Sequence, residues 1–233
     1  MIRIPSVLQE VPFLSEFDVL QSNWRSLVAA SNSEVAIWHG RMSALTEHEN
    51  QLRDAGDWLS GPGDTLSVLG LQRDEVRHSR VLAWLLDPTG HHGLGPRLLG
   101  SLLTKLFPVE QFKGLGRARP RCEEVCGLAR IDIVVRAPGL TLVIENKVDA
   151  DEGDGQCDDY FNRYCHEPGA RFVFLTPTGR RPWSATGPAA VAFAPLSYRT
   201  VAESLRTLLR AGPTGTAVHV AQDYLNTLDK EFQ

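Results

Sequence analysis

The sequence predicts an α/β fold, a mixed sheet flanked by helices and preceded by a helical extension. Three observations carry that reading. Apolar residues alternate over Ile131, Ile133 and Val135 and again over Leu142 and Ile144, the period of two expected of half-buried strands. Two further short apolar runs, 171–175 and 191–195, are of strand type. Most of the remaining chain spaces its apolar residues by three and four, the mark of helices that bury one face.

Taken in order, residues from about Ser15 to Ser60 read as helices. Phe17, Leu20, Trp24 and Leu27 form one set, and Val35, Trp38, Met42, Leu45 and Leu52 a second. They carry no evident chemistry and are suited to capping the core, forming a dimer surface or docking a partner protein. Gly61-Pro62-Gly63 breaks the pattern, so the predicted division is a helical extension over 1–62 and a core domain over 63–233.

From Asp74 to Leu86, the residues Glu75, Ser79, Leu82 and Leu86 share one helical face. A carboxylate opening that stripe is either a functional acid or a first-turn glutamate favoured by the helix N-terminus. Asp87-Pro88 ends the helix. His91-His92 follows in a loop, as loop structure or a phosphate contact, because adjacent histidines on a regular element do not face one metal. Gly95-Pro96 opens another helix through Leu106. Lys113, Arg117, Arg119 and Arg121 then cluster, either to contact phosphate or as a solvated loop. A strand is expected over 121–126, the two hairpin strands after it, and amphipathic helices over 199–211 and 217–231.

Composition narrows the class. The 233 residues are 42% hydrophobic and 22% charged, enough for one ordinary domain with a buried core. No apolar run approaches a membrane span, and MIRIPSVLQEVPF lacks the longer apolar core of a signal peptide, so a cytoplasmic protein is expected. A formal charge of −4 argues against a protein held to nucleic acid by bulk electrostatics but leaves room for a local basic groove. The four cysteines, at 122, 126, 157 and 165, lack zinc-knuckle spacing and read as reduced core residues.

The hairpin holds the chemistry. Glu145 and Lys147 stand two apart and project from one face, with Asn146 on the other. Pairing about Pro138 and Gly139 sets Asp132 opposite Glu145. A longer loop is expected there, because the favoured two-residue hairpin turns need a positive φ where Pro138 would sit. Two adjacent carboxylates on a greasy hairpin repel each other unless a cation lies between them, and hard oxygen ligands suit Mg²⁺ or Mn²⁺.

An acidic residue on one strand, Glu-x-Lys on the next, then Gln156 and Tyr160 four apart on a helix resembles the PD-(D/E)XK nuclease superfamily. The resemblance extends over roughly 65–230. It takes in Glu75-x-x-His78-Ser79, Trp84-Leu85-Leu86-Asp87-Pro88, His92-Gly93-Leu94-Gly95, Arg130-Ile131-Asp132-Ile133, Glu145-Asn146-Lys147, Leu175-Thr176-Pro177 and Leu196-Ser197-Tyr198. Ile131 stands where the family name has proline.

What the resemblance implies is a restriction-endonuclease-like core, a four-stranded mixed sheet flanked by helices, that cleaves phosphodiester bonds with Mg²⁺ or Mn²⁺. Asp132, Glu145 and the Asn146 backbone carbonyl would hold the metal, with Glu75 joining directly or through water. Lys147 would orient the attacking water, and Gln156 and Tyr160 would touch substrate or hold Lys147. Ser79, Arg130, Arg117 and Arg119 complete the expected substrate contacts. DNA is the expected substrate, with RNA not set aside, in defence against foreign DNA or in repair. A non-catalytic module that binds nucleic acid or a partner is the competing reading.

Overall fold

The computed structural model describes residues 13–126 and 129–232. The chain divides into two compact units, Met1–Gly61 and Pro62–Gln233. The first is built on one helix, α1, Phe13–Ala55. The two apolar sets therefore lie on a single helix. The stretch that joins them, Ala29-Ala30-Ser31-Asn32-Ser33-Glu34, has neither Gly nor Pro, and the lone Gly40 further on costs only about 1 kcal/mol of helix propensity.

The second unit is a five-stranded mixed sheet in the order β1-β2-β3-β4-β5. Its strands are β1, Arg119–Cys126; β2, Ala129–Ala137; β3, Leu140–Asn146; β4, Ala170–Thr176; and β5, Phe193–Ser197. The first three pair antiparallel and the last three parallel. This is one strand more than the resemblance implies. The runs before the hairpin and after residue 190 both join the sheet, β1 along β2 and β5 along β4.

The β2–β3 hairpin is tighter than expected. Ala137 pairs with Leu140, so Pro138 and Gly139 alone make the turn. Of the two, Gly139 carries the positive φ, 70°. The positive angle thus falls on the second turn residue, where glycine takes it freely and proline keeps its own locked φ. The register continues the predicted one, with Ile133 opposite Ile144.

After the short helix α2 (Thr65–Val68), helices cover both faces of the sheet. On one side α3 (Glu75–Leu86), α4 (Arg97–Leu106), α7 (Tyr198–Arg210) and α8 (Val218–Glu231) bury Ile133, Val135, Leu142 and Ile144. On the other, α5 (Gln156–Tyr164) and α6 (Gly187–Ala192) bury Ile131, Val134 and Val143 with Tyr160, Phe172 and Phe174. The hairpin strands are consequently not half-buried, and all seven residues of β3 are inside. Ile131 packs on the opposite side from Ile133, against the simple alternation. Cross-strand pairing of β1 with β2 lapses between Cys122↔Ile133 and Glu124↔Ile131, where Glu123 takes a φ of 53°. Asp132 sits at that break.

Helix ends agree with local chemistry. Asp74 caps α3 by accepting from the Arg77 N–H at 3.0 Å, and Ser197 caps α7 by accepting from the Thr200 N–H at 3.1 Å. His92 is a loop-building residue. It is fully buried, with Nε2 at 3.0 and 2.9 Å from the carbonyls of Trp84 and Asp87, and Nδ1 accepting from the Leu94 N–H. Cys157 is buried and free, and Cys122 and Cys165 are partly buried and free.

Candidate active site

The site forms where β3 leaves the sheet. Glu145 projects toward α5 and pairs with Lys147, while Asn146 projects toward α3 and α7. Glu145 is 1% exposed, and the Lys147 ammonium lies 3.1 Å from its Oε1. The same oxygen accepts from Gln156 Nε2 at 2.7 Å. Its other oxygen, Oε2, is buried without a hydrogen-bond partner. Asp132 reaches the same point from β2 and accepts from the Asn146 backbone N–H at 2.8 Å.

The electrostatics are those of two acids forced together in a dry place. Burial, opposed by the Asn146 N–H and the Lys147 charge, pushes the Asp132 carboxyl from its ordinary 3.8 up to about 6. Burial and then the neighbouring Asp132 hold Glu145 well above the carboxylate range. For Lys147, burial favours the neutral amine, but attraction to Glu145, Glu75 and Asp132 outweighs it and raises the pKa. Lys147 therefore remains an ammonium, a donor and a fixed positive charge rather than a base.

Glu75 opens α3 and uses one oxygen as an anchor. Its Oε1 accepts from the N–H groups of Val148, Asp149 and Ala150 at 2.7, 3.3 and 3.0 Å. That grip turns the chain sharply just after Lys147. A hollow of about 250 Å³ opens beside it, lined by Lys147 to Asp151, Thr176 to Thr178 and Arg180. Glu152, which sequence reasoning passed over, ties the two walls together. It pairs with Arg180 and accepts from the Ser184 N–H at 2.9 Å.

A family model described as the PD-(D/E)XK nuclease superfamily matches residues 63–226. The chain belongs to the PD-(D/E)XK nuclease superfamily. No curated protein and no solved structure matches it.

Within this PD-(D/E)XK chain, the predicted residues separate into three groups. Asp132, Glu145, Lys147, Gln156 and Tyr160 are brought together, but the last two serve the carboxylates. Gln156 Nε2 donates to Glu145 and also lies 2.8 Å from the Tyr160 hydroxyl, which donates to the Arg130 carbonyl at 2.8 Å. Gln156 thus holds Glu145 rather than Lys147. Tyr160 is wholly buried, which removes it from substrate.

Ser79, expected at the substrate, is buried on the other side of the sheet. Asn146 Nδ2 donates to Ser79 Oγ and to the Glu75 carbonyl, both at 3.1 Å, and Asn146 Oδ1 accepts from the Tyr198 hydroxyl at 2.7 Å. The Asn146 side chain, 0% exposed, is therefore fully satisfied and locks the residue between the two charged ones. Tyr198 is the positioning residue that sequence reasoning missed. Its motif was legible, but no local pattern says that the start of α7 reaches β3.

The arginines are dispersed. Arg130 is exposed and shares Glu123 with Arg80, at 3.4 and 3.1 Å. Arg117 and Arg119 lie with Asp87, Thr89 and Arg121 around a separate cavity of about 440 Å³. Arg119 pairs with Arg136, four residues along β2 from Asp132, or roughly 13 Å at strand rise. The structure does not bring Arg117 and Arg119 to the carboxylates. Glu75 lies close enough for its charge to act on Asp132 and Lys147 while its Oε1 is tied to the backbone of 148–150. Among the described residues, no three His, Cys, Asp or Glu side chains are grouped to hold a metal.

Proposed function

We propose that this chain is a metal-dependent nuclease that hydrolyses phosphodiester bonds in DNA, using Mg²⁺ or Mn²⁺ held by Asp132, Glu145 and the Asn146 carbonyl. The observation that carries the reading is the pair of buried carboxyls, Asp132 and Glu145, in side-chain contact with each other, with Oε2 of Glu145 taking no hydrogen bond from a donor group. A buried acceptor without a donor costs about 1–3 kcal/mol, and a cation removes that cost together with the repulsion. The donor set is hard oxygen, which fits Mg²⁺ or Mn²⁺ and no soft metal.

A divalent ion so placed supplies charge neutralisation at the scissile phosphate and a more acidic bound water. The chain's residues do the rest. Gln156 and Lys147 fix the Glu145 carboxylate, and the Asn146 backbone fixes Asp132. Lys147, kept protonated, donates to the attacking oxygen or to a phosphate oxygen as negative charge builds there. Substrate would approach along the hollow beside Lys147, with Arg180 on its wall.

Among the described residues no helix is long and apolar enough to cross a membrane, and we place the activity in the cytoplasm, in defence against foreign DNA or in repair. The test is incubation of the purified chain with linear and supercoiled DNA and with RNA, with Mg²⁺, Mn²⁺ or EDTA. Cleavage of DNA that EDTA abolishes is the expected result. Cleavage of RNA alone would transfer the proposal to the other substrate. Tight binding of nucleic acid without cleavage under any metal would refute it in favour of a binding module.

A further inference from the structure

One face of α1 carries large apolar side chains that stand exposed among the described residues. Phe17, Leu20, Trp24 and Leu27 precede Ser31 on this stripe, and Val35, Trp38, Met42 and Leu45 follow it; all eight are 55–67% exposed. Spaced about 3.5 residues apart on average, the nine positions form one stripe that winds slowly around the helix. The stripe also reads the same in both directions. Steps of three, four, three and four lead to Ser31, and the same steps in reverse order lead away from it.

We infer that α1 pairs antiparallel with α1 of a second copy of this chain, about a two-fold axis at Ser31. In that register Phe17 stands level with Leu45 of the second copy, Leu20 with Met42, Trp24 with Trp38 and Leu27 with Val35. Only the smallest side chain of the stripe, Ser31, meets itself. A parallel pair matches any stripe and requires no such mirror symmetry, whereas an antiparallel two-fold interface does. Charge agrees. A parallel pair sets Glu34 beside Glu34 and Arg41 beside Arg41 at the edge of the seam, while the antiparallel one sets Glu34 level with Val28 and Arg41 level with Gln21.

Size agrees as well. Covering eight such side chains on each copy removes on the order of 1,500 Å² from water, the area of a standard stable interface. The consequence is spacing. The ends of the two α1 helices at Ala55 emerge in opposite directions, about 70 Å apart at helical rise.

The full chain should run in light scattering near twice its mass of 25.7 kDa, and Trp24→Glu with Trp38→Glu should reduce it to monomer. Orientation is tested by oxidative cross-linking, with wild type as the control for native cysteines. Leu20→Cys chains mixed with Met42→Cys chains should cross-link, and neither should do so alone. A monomeric wild type, a dimer that survives the double substitution, or Leu20→Cys chains that cross-link to each other would overturn the inference.

Discussion

Lys147→Ala should lower the rate of phosphodiester cleavage by about a hundredfold or more while the protein remains folded. Removing one preorganised charge from a transition state in a dry site typically costs about 10²–10³ in rate. The geometry puts Lys147 in that class. Its ammonium is anchored at 3.1 Å from Glu145, and its side chain is only 13% exposed, so its orientation is set before substrate arrives. Lys147→Arg should recover little, because the broad guanidinium does not occupy the place of a compact ammonium. Single-turnover cleavage of a labelled substrate, with circular dichroism to verify folding, reads both effects. An alanine variant within a few-fold of wild type would remove Lys147 from the chemistry.

The second large effect has the opposite sign, on stability. Asp132→Asn should make the metal-free protein more stable above about pH 6, by roughly 1–3 kcal/mol. In the folded chain Asp132 binds its proton more tightly than in the unfolded chain, about 6 against 3.8. Its contribution is therefore fully present below about pH 4 and is lost as pH rises through about 6. Asparagine keeps an acceptor for the Asn146 N–H and carries no charge to desolvate. Urea unfolding in EDTA at about pH 8 should show the gain, and at about pH 4 the two proteins should coincide. An equal destabilisation at both pH values would mean that Asp132 is held by structure rather than strained for function. The prediction identifies the site as a place where stability has been given up for a charge arrangement that a cation completes.

How much of this was legible in the sequence follows from the range of each interaction. The hairpin register and the shared face of Glu145 and Lys147 come from a period of two and a turn, which are local, and they stand as read. The turn is shorter than expected because Gly139, not Pro138, takes the positive φ. Both faces of β3 are buried, and that needed knowledge of where α5 and α6 return, which no window of residues contains. The same holds for Asn146. Its three partners, the Glu75 carbonyl, Ser79 and Tyr198, lie on helices 71, 67 and 52 residues away. Ser79 and Tyr160 were visible as motif residues, yet a motif does not say whether a hydroxyl faces substrate or core. Burial assigns both to the core.

The proposed function requires Asp132 and Glu145 to hold one divalent cation between them. Titration of Mn²⁺ into the metal-free wild type, followed by calorimetry or by the loss of the free-ion resonance signal, tests it without reference to substrate. A single site should appear in the wild type and vanish in both Asp132→Asn and Glu145→Gln, with Mn²⁺ raising the melting temperature of the wild type alone. Wild-type-like binding in either variant would contradict the account.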